Sequence, residues 1–70
     1  MNMSNEKEMT LNELLAKEAE THDSHIQFLL GRSYEEQEDY ENSFKWCKLA
    51  ADQGHAGAKE KIEELKKKIK

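Results

Sequence analysis

The side chains in this sequence that can ligate a metal, attack a carbonyl or exchange protons are few and scattered. His22 and His25 flank Asp23, placing an acid between two imidazoles. Zinc accepts such groups, but it needs them on one face together with a fourth donor. Thr21, Asp23 and Ser24 are all helix-capping types, so the segment reads as a break that His22 and His25 straddle, and a polar helix start is expected. Cys47 has no histidine at a spacing that would make a nucleophilic pair. It lies on an apolar helical face, where a thiol is inert. The acidic run Glu35-Glu36-Gln37-Glu38-Asp39-Tyr40-Glu41 lacks the central glycine and distal glutamate of a calcium loop. Phosphate-binding glycine loops, nucleophile elbows and paired catalytic carboxylates are missing from the chain. No catalytic residue, metal or cofactor is therefore expected, and binding is the kind of function left.

The bulk composition sets the elements that carry these residues. Seventy residues make one domain, near the size where a single core is only marginally stabilising. The chain has no proline and only three glycines, too little turn chemistry for a β architecture. Ala, Leu, Glu, Lys and Gln dominate, so an all-α fold is expected. One cysteine excludes an internal disulfide and suits a reducing compartment. MNMSNEKEM has no apolar segment, so no signal peptide is expected, and no run approaches the ~20 apolar residues that span a bilayer. A cytoplasmic protein without membrane attachment is the expectation.

Charge is unevenly spread. Residues 1–41 hold eleven acids and three bases, whereas residues 42–70 hold four acids and eight bases. A molecule so polarised can pair head to tail as a homo-oligomer or dock a charged partner; the simpler reading is that acids favour helix starts and lysines helix ends. Direct nucleic-acid binding is disfavoured by the net charge of −4. It is also disfavoured by a lysine tail, Lys59 to Lys70, that alternates with glutamates and lacks aromatic groups.

Four helices follow from the pattern. Residues 1–9 are polar and expected to be flexible. Thr10 and Glu13 form a capping box for a helix over Leu11–Glu20, with Leu11, Leu14, Leu15 and Ala19 on one face. A second helix ends near Glu36 and buries Ile26, Leu29, Leu30, Ser33 and Tyr34. Asp39 caps a third over Tyr40–Gln53, with Tyr40, Ser43, Phe44, Cys47 and Ala51 on one side and Trp46 and Ala50 beside them. Gly54 takes the left-handed position that ends it. The fourth, Ala56–Ile69, carries the narrow stripe Ala58, Ile62, Leu65 and Ile69. Phe28 and Leu49 fall off these stripes.

Shifted by 32 positions, the chain partly overlays itself: Leu14 falls on Trp46, Ala19 on Ala51, Ile26 on Ala58 and Leu30 on Ile62. That spacing belongs to helix-turn-helix solenoids. Leu30-Gly31 followed by Tyr34, and the run Phe44-Lys45-Trp46-Cys47-Lys48-Leu49-Ala50-Ala51-Asp52-Gln53-Gly54-His55-Ala56, resemble the signature of a Sel-one-like repeat, a relative of the tetratricopeptide repeat. The resemblance implies four antiparallel helices in a right-handed stack, forming one helical-repeat domain over 10–70. Its full repeat spans about 24–56, with capping helices at 10–21 and 56–69. Gly31, Ala50 and Ala51 would let two helices approach closely, with Trp46, Leu30 and Tyr34 filling the wedge, and His55 would be a structural turn residue. The family's glycine-rich interhelix loop is missing, because Gln37 to Asp39 is shorter and acidic. Ser43 stands for an alanine, Cys47 for an aromatic and Leu49 for a lysine, while Glu63 replaces a packing glycine in the last helix.

In such repeats the first helix of each unit lines the concave, partner-binding face. Carried onto this chain, that puts His25, Phe28, Arg32 and Glu35 on one groove wall; the alternative for Phe28 is packing on the fourth helix. The implied function is a non-enzymatic module that binds a protein or peptide. The second reading is a small acidic inhibitor, of the kind phages and mobile elements encode against host machinery, whose Glu35, Glu36, Glu38 and Asp39 cover a basic nucleic-acid site on a target. Leu49, an apolar residue on an outward face, is the remaining candidate contact.

Overall fold

The computed structural model describes residues 10–69; segment 1–9, expected to be flexible, and Lys70 lie outside the described residues. Four helices run in order, α1 (Leu11–Thr21), α2 (Ser24–Glu36), α3 (Tyr40–Asp52) and α4 (Ala56–Lys68), with no strand among the described residues. Each start has a chemical cause. At α1 the Thr10 hydroxyl accepts the Glu13 backbone N–H at 3.2 Å, and the Glu13 carboxylate accepts that of Thr10 at 2.9 Å. The Asp23 carboxylate accepts the His25 N–H (2.7 Å), and that of Asp39 accepts the Asn42 N–H (3.3 Å). Such caps satisfy donors that the first helical turn leaves without an internal partner.

The periodicity is finer than the sequence overlay indicates. α2, α3 and α4 are each 13 residues long and start at Ser24, Tyr40 and Ala56. One helix and its turn therefore occupy 16 residues, half the spacing at which the sequence matches itself. Left-handed backbone falls at His22 (φ 51°), Glu38 (φ 63°) and Gly54 (φ 97°), and each is followed at once by an N-cap, Asp23, Asp39 and His55. The second and third turns also share a bond, from the Asp39 N–H to the Tyr34 carbonyl (2.9 Å) and from the His55 N–H to the Ala50 carbonyl (3.1 Å).

Only one of the three left-handed positions is a glycine. An L-side chain there costs about 1–2 kcal/mol, partly offset by the ~0.4–1 kcal/mol that glycine loses through a freer unfolded chain. Glu38→Gly is therefore expected to stabilise the domain by about 0.5–1 kcal/mol, read as a rise of a few degrees in thermal midpoint. An unchanged or lower midpoint would show that the Glu38 side chain contributes something the turn geometry does not.

Neighbouring helices are antiparallel. The end of α1 meets the start of α2, where Gln27 Nε2 donates to Glu18 Oε2 (2.9 Å). The end of α3 returns to the same place, where Gln53 Nε2 donates to Gln27 Oε1 (2.8 Å) and to the His22 carbonyl (3.1 Å). Helix α4 packs on α3 and runs alongside α2, its N-cap His55 beside His25 and its later residue Lys61 beside Glu35.

The α2–α3 contact is close because Gly31 has no side chain. A Cβ there would stand 2.3 Å from Cys47 Sγ, 3.1 Å from the Ser43 carbonyl oxygen and 3.3 Å from the Cys47 nitrogen. Ser43 is fully buried at this point, and its hydroxyl donates to the Gly31 carbonyl at 2.7 Å. The hydroxyl is a partner for the helix backbone where an alanine would offer none. Leu30 is fully buried on α2, while Ile26, Leu29, Ser33 and Tyr34 of the expected stripe are half-buried. A second buried cluster lies between α3 and α4: Cys47, Ala50, Ala58 and Leu65, with Phe28, Tyr40, Phe44, Ala51 and Ile62 packed against it. Trp46, placed in the wedge by the resemblance, is half-buried and belongs to the rim of α3's outer face.

Candidate interaction surfaces

Three surfaces gather the residues singled out from the sequence: the face of α2 that meets α4, the acidic corner at the α2–α3 turn, and the outer face of α3. The first brings together His25, Phe28 and Glu35, all on α2, with α4 opposite. Phe28 is half-buried, and its ring stacks on His55 with centroids 4.6 Å apart. The alternative of packing on α4 therefore describes its position: it covers the start of that helix and adjoins the α3–α4 cluster. Glu35 is also engaged, 3.0 Å from Lys61 Nζ and 3.7 Å from Lys68 Nζ. Hydrogen bonding to Glu35, reinforced by Glu64, holds the Lys61 ammonium above the ordinary lysine range despite partial burial. A raised lysine value means that this clasp is present at neutral pH and is lost only as the pH rises through that value. Arg32 is exposed on the same helix and makes no ion pair among the described residues. His25 is exposed, its ring 5.8 Å from that of His55.

At the acidic corner Glu36 and Glu38 are exposed and make no ion pair among the described residues. Asp39 differs: it is half-buried, and its carboxylate accepts the Asn42 backbone N–H (3.3 Å) and the Asn42 side-chain amide (2.8 Å). Its first task is to start α3. Lys68 approaches from α4, its Nζ 5.2 Å from the Tyr40 ring centroid, so a cation and a π face close one side of the corner.

The outer face of α3 is the apolar surface. Leu49 is 43% exposed, the large hydrophobic residue left open among the described residues. Around it Phe44, Lys45, Trp46, Lys48 and Asp52 line a shallow hollow. Lys48 and Asp52 form an exposed ion pair at 3.7 Å, of the kind that contributes little to stability.

Residues that could do chemistry are held apart. His22 caps the end of α1 with its Nδ1 3.2 Å from Glu18 Oε2, while His25 turns toward His55. Among the described residues no three His, Cys, Asp or Glu side chains converge as a metal-binding group. Burial pushes the Cys47 thiol above its ordinary value, with the Ser43 hydroxyl pulling the other way. No helix of the described residues is long and apolar enough to cross a membrane.

Two polar residues carry more structural weight than expected from the sequence. Gln27 is buried and joins α1, α2 and α3 through Glu18 and Gln53. His55 caps α4, its Nδ1 accepting the Ala58 N–H at 3.1 Å. The place of His55, 16 residues after Asp39 and 32 after Asp23, is the one signal that could have marked it as a cap. Comparison with family models, curated proteins and solved structures finds no match.

Proposed function

We propose that this chain is a non-enzymatic protein-binding module of the helical-repeat type, engaging a protein or peptide partner through the outer face of α3. The observation that carries the reading is the exposure of Leu49 between Trp46 and the Lys45 and Lys48 stems. An exposed leucine beside a half-covered tryptophan gains by being covered, and buried aromatic and aliphatic anchors dominate binding energies. The groove on α2 is the weaker candidate, because Phe28 and Glu35 already have partners within the chain. The likeness to Sel-one-like repeats supports the module reading, as does the 16-residue helix-and-turn period.

Glu36 and Glu38, without an ion pair among the described residues, favour a second reading, in which an acidic corner blocks a basic site on a target. One experiment separates the two: capture of partners by the wild type, Leu49→Asp and Glu36→Gln/Glu38→Gln, at low and high salt. Leu49→Asp should leave folding within about 0.5 kcal/mol and weaken binding by ~30-fold or more, whatever the salt. Loss confined to the glutamine variant, with strong salt dependence, would overturn the α3 reading in favour of the acidic corner.

A further inference from the structure

The three turns of this fold share one design, and one of them departs from it. At Asp23 and Asp39 the N-cap acceptor is a carboxylate, which suits the positive end of a helix in any protonation state met near neutrality. At the equivalent position of the third turn the acceptor is an imidazole nitrogen, His55 Nδ1, 3.1 Å from the Ala58 nitrogen. An imidazole accepts only through a nitrogen that carries no proton, so the bond requires the neutral ring with its hydrogen on Nε2.

Two rings of α2 stand by the His55 ring: Phe28 stacks on it with centroids 4.6 Å apart and planes 28° apart, and His25 lies nearly parallel at 5.8 Å (17°). Gly57 leaves room for the stack, since a Cβ there would come within 3.1 Å of His55 Cε1 and 3.4 Å of the Phe28 ring. We propose that neutral His55 is a pH-sensitive latch that fastens the start of α4 to α2.

A proton on Nδ1 turns the acceptor into a donor that faces the Ala58 N–H. It also puts a cation at the positive end of α4, beside His25 in the first turn of α2, and histidine is the side chain that ordinarily changes charge between about pH 5 and 8. The charged side chains on the adjoining helix ends are Asp23 from α2, Asp52 from α3 and Lys59 from α4 itself. Asp23 accepts the His25 N–H and Asp52 pairs with Lys48; among the described residues none of the three bonds to the His55 ring. Acidification therefore loosens the first turn of α4, which adjoins Phe28, without removing Ala58 from the α3–α4 cluster. The rest of α4, clasped by Glu35 at Lys61 in its second turn and at Lys68 at its end, stays in place.

The test is NMR on the full chain with pH titration. At pH 7.5 the His55 ring is expected as the Nε2–H tautomer, and an Nδ1–H tautomer would overturn the proposal. Between pH 7.5 and 5, protection of the Ala58 amide, corrected for intrinsic exchange, should fall roughly five- to tenfold, the size of one N-cap. His55→Asn keeps a side-chain oxygen at the cap without a titrating ring, and its Ala58 protection should stay flat. His22→Gln should behave as the wild type. Equal pH dependence in the wild type and His55→Asn would overturn the proposal, and the tautomer measurement decides it if the asparagine variant fails to fold.

Discussion

Gly31→Val is expected to leave the chain without a folded state. The smallest possible addition at this position, a single Cβ, already lies 2.3 Å from Cys47 Sγ, with the α3 backbone at 3.1 and 3.3 Å behind it. The sulfur is on a fully buried side chain and has nowhere to move. Relief requires α2 and α3 to separate, which breaks the Ser43-to-Gly31 bond and opens the contact on which the other helices are built. Overpacking a tight core costs about 1–3 kcal/mol when the backbone can shift, and more when two β-branched methyls must also be housed. A domain of this size holds about 4–10 kcal/mol in total, so little helix signal should survive at 25 °C. Gly31→Ala, with one carbon, should fold with a lowered midpoint, and adding Cys47→Ala should recover part of the loss by removing the nearest atom. If Gly31→Ala melts with the wild type, or Cys47→Ala gives no recovery, the close approach is not what limits this position.

The skeleton of this fold was open to sequence reasoning because it is written in residue types with few uses. Thr10 with Glu13, Asp39 ahead of an apolar face and Gly54 after one have strong local meanings, and the four helices begin at or beside the positions these imply. The turns at His22 and Glu38 were not legible as left-handed, since neither residue type announces that conformation. Their signal was positional, a period of 16 residues set by geometry while the side chains changed. The partners of the polar core residues were hidden for a related reason. Ser43 falls on the apolar stripe of α3, whereas a helical pattern assigns Gln27 to the surface; only the approach of a bare glycine backbone and of a third helix supplies their buried partners.

The candidate surfaces were legible to different depths. Leu49 could be placed from α3 alone, because a residue opposite a helix's buried face stays exposed unless something outside the helix covers it. Phe28 and Glu35 could not, because their surroundings depend on how α4 lies across α2, which no single-helix pattern encodes. Lysines of α4 spaced for solvation turned out to be spaced for Glu35 as well. Of the residues that the repeat resemblance would put on a groove wall, the apolar and acidic members, Phe28 and Glu35, face α4.

Leu65→Ala is expected to cost about 2–5 kcal/mol, enough to bring a domain of this size to its melting range near room temperature. Leu65 is fully buried and meets Cys47, Ala50 and Ala58, none of which is large enough to fill the space a leucine leaves. The alternative to global unfolding is detachment of α4 alone. That outcome would strip the cover from Cys47 and Ala50 and expose Phe28, Tyr40 and Phe44, which pack against the same cluster, so a three-helix remnant would lose its best-buried face. The transition should therefore be cooperative, with Trp46 fluorescence and helical circular dichroism melting together. Superimposable curves at a midpoint well below the wild type would place the α3–α4 cluster at the centre of stability. Helical signal lost before the tryptophan signal would mean instead that α4 is a detachable cap, and that α1 to α3 hold together through Leu14, Leu30 and the Gly31 contact.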